Sequence, residues 1–161
     1  MTQTYTRLAT PVGELLLTAS NDALTGVWFS PFKVRKEWIA GDRHPILVRA
    51  SEQLTEYFAG TRTTFDLPLD PVGSAFEQSV WDLLRAIPYG TTTSYGDLAR
   101  RLGDVKQSRA VGAANGKNPI PIIVPCHRVV GVNGDLTGFG GGLDRKRWLL
   151  EHEGALLKIG A

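Results

Sequence analysis

Cysteine is almost missing from this chain: one residue, Cys126, stands among 161. A single thiol cannot close an intrachain disulfide, which excludes a disulfide-stapled secreted scaffold. It cannot build a cysteine-based zinc site either, and with only His44, His127 and His152 to add, no structural metal is expected. Long apolar runs are missing too. No stretch approaches the roughly 20 residues of a membrane span, and the opening MTQTYTRLATPVGE lacks the apolar core of a signal peptide. The expectation is a soluble, cytoplasmic protein without cofactor, sized for one compact domain or two small ones.

Net charge is also scarce, at +2, but it is unevenly spread. Residues 1–75 hold 7 Lys and Arg against 8 Asp and Glu, whereas residues 76–161 hold 11 against 8. From Arg100 to Arg147 nine basic residues face only Asp104, Asp135 and Asp144. A basic stretch inside a near-neutral chain suits a polyanion partner, although a merely solvated basic face has the same composition.

The first half reads as a small α/β unit. TYTRLA, GELLLTAS and ALTGVWFS are strand candidates, the last two around the turn-like SND. PILVRASEQLTEYFAG places Ile46, Ala50, Leu54, Tyr57 and Phe58 on one helical side, with Gly60 as its stop. TFDLPLDPVGS, crowded with proline and glycine, reads as a linker. We therefore expect an N-terminal support domain over 1–70 with a small antiparallel sheet and a helix, a linker over 71–75, and a mainly α domain over 76–161.

That second part is helical. Ser74 and Glu77 have capping-box spacing, and Phe76, Val80, Leu83, Leu84 and Ile87 follow on one face. Ser94 caps a short helix presenting Tyr95, Leu98, Ala99 and Leu102 and closed by Gly103. KQSRAVGAANG then forms a second short helix carrying Lys106, Arg109 and Lys117. The pair makes a helix-turn-helix pattern of winged-helix type. Its second helix is small-sided (Ala110, Gly112, Ala113, Ala114), which permits close approach either to a groove or to another helix.

The lone thiol lies in NPIPIIVPCHRVVG. Pro119, Pro121 and Pro125 each remove an amide donor and bias the residue before them toward extended geometry, so no helix is expected. Ile120, Ile122, Ile123 and Val124 make the segment apolar and interior, which suits a positioned nucleophile as well as an inert buried cysteine. A nucleophilic thiol needs a base, and His127 is adjacent. In an extended chain the two side chains point apart, so a bridging water or a local bend is required. A third member is available in DRKRWLLEHEG, a helix with Asp144 as N-cap and Gly154 as stop. Glu153 falls between Leu149 and Leu150 on its apolar face and at the negative end of the helix dipole, while Glu151 points the other way. A carboxylate there is better explained by a buried partner, and His127 fits that role in a Cys–His–Glu arrangement.

IPYGTTTSYGDLA, SRAVGAANGKNPIPIIVPCHRVVG and LTGFGGGLDRKRWLLEHEG together resemble the O6-alkylguanine-DNA alkyltransferase family, whose active-site signature is Pro-Cys-His-Arg-Val. The likeness runs from about Phe76 to Gly154. It implies that Cys126 accepts the alkyl group from guanine O6, that His127 is its base through a water, and that Glu153 orients His127. It implies that Asn118 holds the turn before the active-site segment and that Tyr95 donates a proton to the leaving guanine. Arg109 would enter the duplex in place of the flipped nucleotide, with Lys106, Ala110, Ala113, Ala114, Asn115 and Arg128 also on the DNA side, in the minor groove. Val129, Phe139, Gly140 and Gly141 would line the base pocket, the carbonyls of Cys126 and Val129 reading the exocyclic amine. Some relatives have Tyr and Ser where this chain has Phe139 and Gly140, which removes a hydroxyl contact to the base. The implied partner is double-stranded DNA containing O6-alkylguanine, met by a monomer or by molecules clustering along it. A helix-turn-helix binding module without chemistry would leave Cys126 and Glu153 without purpose. A cysteine hydrolase would leave the basic helices without one.

Overall fold

The computed structural model describes residues 3–156. Contacts divide the chain into two units, Met1–Val72 and Gly73–Ala161. In the first, strands β1 (Thr4–Thr10), β2 (Gly13–Ala19) and β3 (Leu24–Phe29) form an antiparallel meander. Leu15, Leu16 and Leu17 of central β2 are all fully buried, so both of its faces are covered; this is why it reads as a continuous apolar run rather than an alternation. Helix α1 (Pro45–Phe58) packs on β1, β2 and β3 through Ile46, Leu47, Ala50, Leu54 and Tyr57. The sheet departs from the all-antiparallel expectation: the two residues of β4 (Ile39–Ala40) join β1 in parallel.

The expected linker is also partly structured. Leu69 bridges to Leu24, with Leu24 N–H donating to Pro68 O at 2.9 Å and Asp70 N–H to Leu24 O at 2.9 Å. Buried Gln53 anchors this segment. Its amide donates to Asp66 O at 3.0 Å, and its carbonyl accepts from Asp66 N–H at 2.9 Å.

The second unit opens with α2 (Ala75–Arg85). Its capping box is complete: Glu77 N–H donates to Ser74 Oγ at 3.1 Å and Ser74 N–H to Glu77 Oε1 at 2.8 Å. Helix α3 (Tyr95–Arg101), capped by Ser94, and α4 (Ser108–Gly116), reached through a 3-10 turn at Val105–Gln107, give the helix-turn-helix. Gly103 takes the left-handed conformation (φ 101°) that ends α3. Trp81 of α2 is buried and its Nε1 donates to Ala114 O at 2.9 Å, in the last turn of α4, where that carbonyl also accepts from Lys117 N–H at 3.1 Å. Helix α5 (Leu143–His152) closes the unit. Its N-cap is Gly142 (φ 92°), not Asp144, which sits inside the first turn; Glu153 is the C-cap and Gly154 follows with φ 76°. A two-residue parallel pair, β5 (Thr93–Ser94) with β6 (Val129–Val130), ties the start of α3 to the chain just past Cys126. Pairings this short leave no periodicity to read.

Candidate alkyl-acceptor site

Every residue from Ile120 to Val130 is buried, and the segment turns repeatedly rather than running extended. Val124 N–H donates to Ile120 O at 2.9 Å, closing a loop in which Ile122 has φ 75°, an uncommon conformation for a β-branched side chain. Asn118 holds that loop at two points: its Nδ2 donates to Val124 O at 2.8 Å and its Oδ1 accepts from Ile120 N–H at 3.0 Å. Pro125 (φ −80°, ψ 66°) makes an inverse γ-turn, with Cys126 N–H donating to Val124 O at 2.8 Å. Cys126–Arg128 is then one turn of 3-10 helix. The backbone at Cys126 and His127 is therefore bent, not extended.

The thiol is buried, and burial pushes it up to about 11. Hydrogen bonding from Asn118, the positive charge of Lys146 and the N–H groups of Cys126 and His127 all pull it back down without overcoming that. Burial thus favours the protonated thiol over the thiolate. Burial likewise holds the His127 imidazole below the usual histidine range, against the upward pull of Glu153; Arg128 and Lys146 press it lower still. A neutral imidazole can accept a proton. His127 Nε2 lies 2.8 Å from Glu153 Oε2, while Nδ1 is buried with no partner among the described residues.

Three residues expected at the DNA surface face the interior instead. Arg128 is 6% exposed and forks onto Glu153, with Nε 2.8 Å from Oε1 and Nη2 3.0 Å from Oε2. Asn115 is buried, its Nδ2 donating to Cys126 O at 3.4 Å and its Oδ1 without a partner among the described residues. Ala114 is buried in the α4 contact with α2. Each lies on the side of α4, or in the buried stretch, that the core requires. Lys106, Arg109, Ala110 and Ala113 are exposed, the last three on the opposite side of α4.

Lys146 was missed in the sequence. It is fully buried, and its Nζ donates to Val129 O at 2.6 Å and Thr137 O at 2.6 Å, which fastens the glycine-rich loop to β6. Burial lowers its amine to about 8, with Cys126 acting in the opposite sense. The signal was available: Lys146 precedes Leu149 and Leu150 by three and four residues, on the same apolar face as Glu153. The Val129 carbonyl, expected to read the base, thus already accepts from an ammonium.

Tyr95 stands between α4 and the loop. A Cβ on Gly112 would meet its ring at 3.8 Å and one on Gly138 its hydroxyl at 3.9 Å, while that hydroxyl donates to Thr137 O at 3.4 Å. Gly140 lies against Gly116 O, with 3.9 Å to a built Cβ. Phe139 and Gly141 are partly exposed on this loop. Among the described residues, no His, Cys, Asp and Glu cluster could hold a metal ion, and no helix is long and apolar enough to cross a membrane.

Comparison with known proteins matches residues 4–71 to the ribonuclease-like domain of 6-O-methylguanine DNA methyltransferase and residues 75–155 to its DNA binding domain. The chain is 46% identical over 155 residues to a methylated-DNA--protein-cysteine methyltransferase of Methanosarcina acetivorans, covering 94% of this chain and 98% of that one. It is 46% identical over 142 residues to the constitutive enzyme of that name from Bacillus subtilis, covering 85% and 86%. The crystal structure of Mycobacterium tuberculosis O6-methylguanine methyltransferase superposes with TM-score 0.87 at 43% identity, covering 98% of this chain and 96% of that one. A structure of the M. tuberculosis protein OGT in complex with DNA does so with TM-score 0.87 at 44% identity, covering 96% and 94%.

Proposed function

The chain belongs to the 6-O-methylguanine DNA methyltransferase family, and from that membership we infer the working of its site. It is a methylated-DNA--[protein]-cysteine methyltransferase: it binds DNA and repairs the lesion directly, by alkyl transfer to cysteine. The acceptor in our reading is Cys126, the only thiol present. The observation that carries this is the buried Cys126–His127–Arg128 turn, in which His127 hydrogen-bonds Glu153 through Nε2 and leaves Nδ1 open.

The lesion oxygen is inside the base stack, so the nucleotide must be flipped out to reach a buried thiol. Exposed Lys106, Arg109, Ala110 and Ala113 form the face that meets the duplex in the minor groove, with Arg109 filling the space of the flipped nucleotide. The thiol proton passes through a water to His127 Nδ1. The sulfur then forms its bond to the alkyl carbon as the bond from that carbon to O6 breaks, in line. The electron pair stays on the guanine, which takes a proton from the Tyr95 hydroxyl; solvent exchange restores both side chains. A resting thiol near 11 fits this order, because deprotonation belongs to the reaction and not to the waiting protein. A thioether has no route back to thiolate, so each chain, acting as a cytoplasmic monomer, reacts once.

The test is intact mass after incubation with a duplex carrying one O6-methylguanine. The expected result is a single added methyl, mapped to the peptide holding Cys126 and absent in Cys126→Ser. An unchanged mass with tight duplex binding would leave a lesion-binding module without chemistry.

A further inference from the structure

We propose that Arg128 is a positioning residue whose charge, acting through Glu153, sets the tautomer of His127; this rests on the reading of His127 as the base. The geometry is specific. Glu153 Oε2 is shared, lying 2.8 Å from His127 Nε2 and 3.0 Å from Arg128 Nη2, while Oε1 lies 2.8 Å from Arg128 Nε. The third arm of the guanidinium, Nη1, donates to Ile87 O at 2.7 Å, and its carbon sits 5.6 Å from the centre of the Tyr89 ring. The side chains of His127 and Glu153 are fully buried and that of Arg128 is 7% exposed.

A neutral imidazole carries one proton, and only one of its two nitrogens can accept another. Beside an ionised carboxylate, Nε2 must be the donor, which leaves Nδ1 proton-free and available to the thiol. A buried carboxylate stays ionised only with a compensating cation and hydrogen bonds to its oxygens, and Arg128 supplies both. Without Arg128, Glu153 takes up a proton and can donate it to Nε2. The imidazole proton then moves to Nδ1, and the base faces the thiol with a donor where an acceptor is needed. Arg128 thus decides which nitrogen is free, although it touches neither thiol nor DNA base. Lysine cannot fully replace it, because a point charge has no fork for two oxygens. The other ionisable groups around this pair are Cys126, Lys146 and Tyr89. Lys146 opposes charge on His127, and Glu153 acts on Tyr89 against Arg128.

The decisive measurement is long-range nitrogen–proton correlation NMR on His127 in the resting wild-type protein at neutral pH, which needs no turnover. We expect the Nε2–H form, and a dominant Nδ1–H form overturns the proposal. In Arg128→Met the Nδ1–H form should appear and the single-turnover methyl-transfer rate should fall about 10–100-fold, the usual scale for a group orienting a histidine. The deficit should shrink as pH rises and Glu153 ionises again, which a merely structural role would not produce. Arg128→Lys should fall between, and it replaces the methionine variant if that one does not fold. Adding Arg128→Met to Glu153→Gln should cost no further rate; an additive loss overturns the idea. On a Cys126→Ser background, Arg128→Met should leave duplex affinity and its salt dependence unchanged. A salt slope lowered by about one would make Arg128 a phosphate contact instead. Absence of methyl transfer by wild-type protein would sink the alkyl-acceptor reading, not the tautomer assignment.

Discussion

The two units bury polar groups of different kinds. In Met1–Val72 the buried polar residues among those described are Thr18, Ser20 and Gln53, all neutral. In Gly73–Ala161 they are Asn115, His127, Arg128, Lys146 and Glu153, four of them ionisable. Stability alone does not explain the second set, since well-packed apolar residues of similar volume often stabilise a fold as well as or better than a buried ion network. Neutral groups such as Gln53 satisfy local backbone and end there. Of the ionisable ones, His127 and Arg128 both bond Glu153, and Lys146 acts on the thiol of Cys126; perturbed proton affinities of this kind mark candidate sites.

The comparison is broken most sharply at Lys146, whose charge no carboxylate among the described residues compensates. Lys146→Met should lower the methyl-transfer rate about 10–100-fold, because it frees the loop at Thr137 from β6 and removes a charge that favours the thiolate. Its titration also has a definite sign. The amine falls to about 8 in the fold from an ordinary 10.5, so between those values the unfolded chain holds more protons and stability rises with pH. Cys126, at about 11 in the fold against an ordinary 9, acts oppositely, losing stability as pH rises from 9 to 11. The lysine effect is therefore read on a Cys126→Ser background. Urea melts should show the lysine-containing chain gaining on its methionine variant as pH climbs from about 8 to about 10. A flat difference would mean that the amine is not desolvated.

A change of the other kind sharpens the contrast. Gln53→Ala in the sheet unit removes both hydrogen bonds to the Asp66 backbone and leaves its N–H without that acceptor; Asp66 O keeps the Arg49 guanidinium at 2.6 Å. The expected loss is about 1–3 kcal/mol of stability. The transfer rate per folded molecule should not change, and a fall in it would make the sheet unit part of the site.

Legibility divided along the same line. Strands β1 to β3 and helices α1 to α4 were readable because periodicity, caps and stop glycines all agree locally. β4, the Leu69 bridge and the β5–β6 pair were not, since two paired residues carry no pattern. The N-cap of α5 fell at Gly142 rather than Asp144 because a positive φ, not a side-chain acceptor, starts that helix. In the site, the helical wheel that puts Glu153 on the apolar face puts Lys146 there as well. Counting Lys146 and Arg128 as basic surface hid them. Charge totals cannot separate a cation that meets phosphate from one that meets a buried carboxylate or carbonyl. Asn115 was hidden likewise, by the small-sided look of a helix that faces two ways.

The smallest effect tests whether the contrast lies between units or between kinds of buried group. Ser74 and Glu77 are in the same unit as the thiol, yet the Ser74 side chain serves the start of α2, while Glu77 also lies 3.9 Å from Lys117 Nζ. Ser74→Ala should cost about 1 kcal/mol, seen as a fall in Tm of about 2–4 °C. Normalised to folded protein, methyl transfer and its pH profile should match the wild type. A slowed reaction would mean that any loosening of residues 73–161 disturbs the cysteine, making that unit's rigidity the source of activity. An unchanged one leaves the distinction with His127, Arg128, Lys146 and Glu153, ionisable groups held out of water where an apolar core would have folded as well.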